Sequence, residues 1–330
     1  MAFVRNGIRA AMKEKDADIV FATSTPLTIG TIALWLRWRK GWKYVFEVRD
    51  LWPDFLIEMG IVKNRMAIWG LRKFEKRIYS KAEHIIALSP GMKDGVTKAG
   101  IPDKKVTVVP NMSKPDRFCP HEPDGETMQM FGIDMTKFNV VYFGSMGPAN
   151  GLLYIIEAAR HLKDRCDDSV RFLFMGSGAT DSKLKRKARD YGLTNVQFLG
   201  VHKMGVVSEV VNCCDVSIIT FLNLPALRNK SPNKFFDSLA AGKPCIVNSA
   251  GWTKDIVEQN DCGFYVDPEK PEQLAEKLLE IKDDKELLKT WGEHARKLSL
   301  EVFDKDMLSA KVADVLEKYG NQGISHCTSI

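Results

Sequence analysis

Short runs of valine, isoleucine and phenylalanine recur along the chain. They alternate with longer stretches in which leucine and alanine fall at helical spacing. Such runs read as strands buried on both faces, and their alternation with helices predicts parallel sheets covered on both sides. In the first half the runs are Ile19–Ala22, Tyr44–Val48, His84–Leu88 and Val106–Val109. In the second half they are Val140–Phe143, Phe172–Met175, Val196–Leu199, Val216–Thr220, Cys245–Val247 and Phe264–Val266. Six strands with their helices make a complete doubly wound domain. Four make a shorter one, and the chain opens inside a helix, Phe3 to Lys15. From Glu272 to about Gly320 the pattern is mostly helical, and Gly323–Ile330 reads as a loose tail.

Length and composition narrow the class. A chain of 330 residues allows two domains, each large enough for its own core. Hydrophobic residues at 45% and charged residues at 27% are ordinary for a globular protein. No apolar run reaches the roughly 18–20 residues that span a bilayer. The seven cysteines are scattered and form no metal-type CxxC pair, which predicts a reducing, cytoplasmic setting. The net charge of +6 is partly clustered: Arg37, Arg39, Lys40 and Lys43 interleave with Trp35, Trp38 and Trp42. That mixture suits an anionic membrane surface, or else a helix end whose tryptophans pack inward. No recognition motif accompanies it, so nucleic acid is not an expected partner.

The segment Ser231–Pro244 carries the most chemistry. Ser231 is a good N-cap and Pro232 suits the first helical position; Gly242 stops the helix before the strand Cys245–Val247. Lys234 and Asp237 share one face of that helix, Phe235 and Leu239 another. A helix start with a lysine and a following carboxylate can hold a nucleoside diphosphate, the lysine on phosphate and the acid on ribose hydroxyls. A capped surface helix packed by its two phenylalanines is the plainer reading. Two glycine-rich turns follow strands: Phe143-Gly144-Ser145-Met146-Gly147-Pro148-Ala149-Asn150-Gly151 and Phe174-Met175-Gly176-Ser177-Gly178. The first spaces its glycines GxxGxxxG, not GxGxxG, and no acid ends the next strand. A dinucleotide cofactor is therefore disfavoured.

With Asn111–Phe118 as an interdomain linker, these segments in this order resemble the nucleotide-sugar-dependent glycosyltransferases of family 4. Glu47-Val48-Arg49-Asp50-Leu51-Trp52-Pro53-Asp54 resembles more narrowly the subgroup that assembles bacterial O-antigen and capsule. The resemblance implies an α/β fold of GT-B type, two Rossmann-like doubly wound domains facing a cleft. It places an acceptor-side domain at 1–118, a nucleotide-sugar domain at 119–302, a helix crossing back at 303–320 and a tail at 321–330.

It further implies a retaining transfer from an NDP-sugar, with UDP the expected carrier, to a lipid-linked or oligosaccharide acceptor during surface-polysaccharide assembly. The leaving diphosphate assists the incoming hydroxyl on the same face, without a covalent carboxylate, a cofactor or a metal ion. Donor-binding residues are then Gly144, Gly147, Asn150, Gly176, Gly178, His202, Lys234 and Asp237. Arg49 and Asp50 are the catalytic candidates. Asp50 would orient the acceptor hydroxyl or stabilise oxocarbenium charge, and Arg49 would bind phosphate. A strand-end ion pair is the competing role for these two. Glu58 and Ser89 are weaker candidates, Ser89 as a helix cap. The expected location is the cytoplasm, peripheral on the inner membrane.

Three positions depart from the family pattern. Asn150 stands where a lysine is common. Asp237 stands where glutamate is usual, and its partner acid eight residues earlier is Asn229. Compared with a full acceptor-side domain, roughly 60–90 residues of the family pattern are missing before Asp18. The short N-terminus and Asn229 keep open a relative that binds a nucleotide sugar without transferring it; a GT-B epimerase is a further alternative, against which the weakened acidic pair argues.

Overall fold

The computed structural model describes residues 2–320, so the tail expected at 321–330 lies outside the described residues. Within that range the chain divides into two compact units. The first comprises residues up to Pro110, the short segment Asn229–Ser231 and the chain from Asp306. The second comprises Asn111–Arg228 and Pro232–Lys305.

The first unit holds a four-stranded parallel sheet in sequential order: β1 (Val20–Thr23), β2 (Tyr44–Val48), β3 (His84–Ala87) and β4 (Val106–Val108). Every residue of β3 is buried, as is all of β2 but Glu47, which explains why these runs lack the alternation of a one-sided sheet. Tyr44, Phe46, Ile85 and Ala87 pack with Ile78 and Tyr79 of the helix Arg65–Lys81 and with Met92 and Val96 of the helix Pro90–Lys98. Ser89 caps that last helix, accepting from the Met92 amide at 3.1 Å. Its hydroxyl donates to the Asn229 carbonyl at 2.6 Å. The helix Lys305–Gly320 closes the unit: Tyr319 stacks on His84 with ring centroids 4.8 Å apart.

The second unit holds a six-stranded parallel sheet. Its strands are β5 (Phe138–Phe143), β6 (Val170–Met175), β7 (Val196–Gly200), β8 (Val216–Ile219), β9 (Cys245–Val247) and β10 (Gly263–Tyr265), ordered β10-β9-β8-β5-β6-β7. Order reverses between β5 and β8, the switch point beyond whose carboxyl edge open α/β sheets bind ligands. Strand alternation splits the core into two layers. Val140, Tyr142, Phe172 and Phe174 face Ile155, Ile156 and Leu162 of the helix Leu153–Asp164. Val141, Phe143, Leu173 and Met175 face Val207, Val210 and Val211 of the helix Met204–Asn212. Residues 111–118, read as linker, belong here: Phe118 is fully buried and stacks on Phe143 at 5.9 Å.

Candidate functional site

The helix of the Ser231–Pro244 segment starts later than expected. It runs Asn233–Ala240, with Pro232 in the cap position. Pro232 adopts extended torsions, φ −80° and ψ 130°, so Ser231 does not cap and Pro232 is not the first helical residue. Proline has no capping side chain, so the cap residue's side chain accepts nothing from the helix amides. The first amides of this helix therefore keep their outward polarity, the partial positive charge of a helix start. Gly242, at φ +62°, ends the segment as expected.

Beside that helix start, wholly within the second unit, lies a cavity of about 440 Å³. Its polar wall holds Gly144, Ser145, Gly176, Ser177, Asn233, Lys234 and Asp237; Val201, His202, Met204 and Val207 form another side. The loops after β5 and β6 need their glycines for distinct reasons. Gly176 sits at φ +136°, and a Cβ there would lie 2.0 Å from the Gly144 carbonyl oxygen. Gly178 has no torsional need, but its Cβ would come within 2.6 Å of the Met146 backbone. The two loops thus pack backbone against backbone, which leaves room above them for a ligand.

Lys234 is half-buried, and its ammonium is enclosed by neutral groups. It donates to the Tyr142 hydroxyl at 2.5 Å, lies 3.8 Å from that ring's centroid and reaches Asn150 Oδ1 at 3.4 Å. No carboxylate pairs with it among the described residues, and burial pushes its pKa down to about 7. Asp237 is buried, and its Oδ1 has no hydrogen-bond partner. Burial lifts its pKa to about 6, against the pull of Lys114 and Arg117. An enclosed, half-buried cation without an anion and a buried carboxylate oxygen without a donor share one wall. Such groups are costly unless a ligand completes them.

Five of the eight expected donor-side residues line this cavity: Gly144, Gly176, His202, Lys234 and Asp237. His202 is tied down, Nε2–H donating to the Leu199 carbonyl at 2.8 Å with its ring edge-on to Phe131. Gly147, Asn150 and Gly178 stand outside the lining. Asn150 braces the loop, donating to the Ser145 carbonyl at 2.9 Å, and so acts on the cavity only through Lys234. Tyr142, which seats the lysine, escaped sequence reasoning because an inward tyrosine on a buried strand reads as core.

In the first unit, Arg49 and Asp50 follow β2 without pairing with each other. The Arg49 guanidinium meets Glu47 at 3.4 Å, and its amide donates to Ser24 Oγ at 2.8 Å. Asp50 is paired with Lys230 and accepts from the Thr25 hydroxyl at 2.9 Å. Each residue thus makes an ion pair at the strand end, Arg49 with Glu47 and Asp50 with Lys230. Lys230 also lies over the Phe55 ring, 5.0 Å from its centroid. Among the tryptophans of the basic–aromatic cluster only Trp38 is well exposed, at 78%; Trp35 and Trp42 are half-buried. Arg37 there pairs with Glu83 at 2.5 Å. No helix among the described residues is long and apolar enough to cross a membrane.

The family model described as glycosyl transferases group 1 matches residues 124–298, and a glycosyl transferase 4-like domain matches 1–112. The chain is 25% identical to the probable glycosyltransferase WbjE of Pseudomonas aeruginosa, over 83% of this chain and 68% of that protein. It is 22% identical to the putative colanic acid biosynthesis glycosyl transferase WcaI of Escherichia coli, over 65% of this chain. That match spans only 53% of WcaI. Among solved structures, Anabaena Alr3699/HepE in complex with UDP-glucose superposes with a TM-score of 0.76 at 18% identity, covering 96% of this chain and 82% of that one. Sucrose-phosphate synthase from Thermosynechococcus elongatus gives 0.79 at 16% identity, covering 96% and 77%. At such identities the likeness shows the fold, Rossmann-like α/β units of the GT-B type. The chain belongs to the glycosyl transferases of group 1, within the family 4, GT-B branch that includes bacterial polysaccharide enzymes.

Proposed function

We propose that the chain is a retaining glycosyltransferase that uses an NDP-sugar, with UDP the carrier. Its acceptor is a lipid-linked sugar or oligosaccharide in the assembly of surface polysaccharide. One observation carries this reading: Lys234, enclosed without an anion, on the same wall as the unsatisfied Asp237 oxygen. A diphosphate supplies the missing negative charge, and ribose hydroxyls supply the missing donors. The solved relative holding UDP-glucose and the relative named for colanic acid biosynthesis support the carrier and the pathway class.

In this reading Lys234 and the amides of the Asn233–Ala240 helix start hold the diphosphate and stabilise it as it leaves. No metal ion is assigned to that task. Gly144 and Gly176 let backbone amides approach the phosphates, and Val201, Met204 and His202 line the base. Asp50 orients the acceptor hydroxyl, and its ion pair with Lys230 holds the carboxylate in place. Arg49 contacts acceptor phosphate. The exposed Trp38 and Arg39, and Trp69 with the Lys73 ammonium 3.9 Å from its ring, support a peripheral seat on an anionic inner-membrane surface.

Calorimetry with a panel of nucleoside diphosphates tests the donor half. UDP should bind best, and Lys234→Ala should lose binding by at least roughly a hundredfold. Equal affinity in the variant removes the assignment. Retention is checked by the anomeric configuration of the first product formed.

A further inference from the structure

A second cavity, of about 530 Å³, lies at the amino-terminal edge of the four-stranded sheet. Arg49 and Asp50 follow the carboxyl end of β2, so this cavity is at the other end of the strands and outside the proposed chemistry. Five cations line it, Arg37, Lys81, Lys104, Lys105 and Lys318, with Glu83 the one carboxylate. Glu83 is already engaged with Arg37 at 2.5 Å, and Lys105 donates to the Ser80 carbonyl at 2.9 Å.

Helix ends explain part of this charge. The helices Arg65–Lys81 and Lys305–Gly320 both finish at the cavity, and each carboxyl end carries about half a negative charge. Five cations against one carboxylate and two such ends leave roughly three positive charges uncompensated. Repulsion of that size, around a space large enough for a small ligand, is relieved by an anion. Tyr319 forms one wall and is stacked on His84. Burial lowers the His84 pKa to about 4, with Lys318 and Lys105 adding to the effect, so the imidazole stays neutral and adds no further charge.

We propose that this cavity is a binding site for a phosphate-bearing anion, either a lipid headgroup or a free diphosphate. Lys81, Lys104 and Lys318 are exposed and form its adjustable rim, while Arg37 and Lys105 are fixed by their partners.

The test uses the full chain carrying Lys234→Ala, so that the donor pocket does not compete. One arm titrates inorganic pyrophosphate by calorimetry. The other sediments the protein with phosphatidylglycerol–phosphatidylcholine vesicles and with phosphatidylcholine vesicles alone. Replacing Lys81, Lys104 and Lys318 together by alanine should weaken binding at least about tenfold in one arm. A loss confined to pyrophosphate identifies a soluble ligand; a loss confined to anionic vesicles identifies a headgroup. A control triple at the exposed Lys285, Lys289 and Lys297 should change little. Absence of binding in both arms overturns the proposal, as does an equal loss in the control.

Discussion

Lys234→Met should make the protein more stable while abolishing nucleotide binding. In the native state the lysine titrates near 7 against an ordinary value of 10.5, with burial as the cause. At 1.36 kcal/mol per unit, a shift of that size corresponds to about 5 kcal/mol of strain on the charged form. Lys234 lines a cavity open to water, which screens part of this, so about 2 kcal/mol is the working figure. Methionine keeps the length of the side chain and its contact with the Tyr142 ring without the charge. Tyr142 loses one partner but still donates to the Ser145 carbonyl at 2.6 Å. The folded pKa is depressed, so the native state binds fewer protons than the unfolded chain. The cost is therefore complete below pH 7 and fades as pH rises toward 10.5. Urea denaturation of both proteins at pH 7 and pH 10 measures this. The variant should lead by about 2 kcal/mol at pH 7 and by almost nothing at pH 10. A variant less stable at pH 7, or a gap equal at the two pH values, would refute an uncompensated cation in this pocket.

Five further outcomes are expected. UDP affinity should fall as pH rises above about 7, because the diphosphate needs a charged Lys234; calorimetry in buffers of different ionisation heat should report proton uptake. Asp237→Asn should bind UDP about tenfold more weakly. It should also unfold at higher urea than the native chain at pH 7, where a carboxyl titrating near 6 is held ionised at a cost. Gly176→Ala, with its Cβ 2.0 Å from the Gly144 carbonyl, should lose about 2–4 kcal/mol. Gly205→Ala, on a helix with nothing within 4 Å of its Cβ, should gain up to about 1 kcal/mol in the same assay. Asp50→Asn should lower turnover about a hundredfold or more with UDP affinity unchanged; a parallel loss of affinity would assign Asp50 to the donor instead.

Much of the fold was legible because buried parallel strands are written as continuous apolar runs. All ten predicted strands form, each within two residues of the expected ends, and Tyr44–Val48 and Cys245–Val247 match without change. The site was legible in part. Lys234, Asp237 and the glycine loops stood out because positive torsions, close backbone approach and charge at a helix start demand particular residue types. The helix start was misplaced by local reasoning, since Pro232 favours the first helical position in general but here is extended. The partners of Arg49 and Asp50 were also missed, because Asp50 meets a lysine 180 residues away in the chain.

The sequence by itself determined the alternation of elements, the two parallel sheets, the family and the residue types able to meet a diphosphate. These follow from short-range physics: periodicity, turn torsions and capping act over a few residues. Tertiary structure alone decided which of those residues share a cavity. It set Lys234 against Tyr142 with no anion, drew Asn150 back as a brace, and left one Asp237 oxygen without a donor. It also gathered five cations from four separate stretches of chain at the far edge of the first sheet. Desolvation and Coulomb energy depend on what surrounds a group in space, and that is set only when distant segments pack.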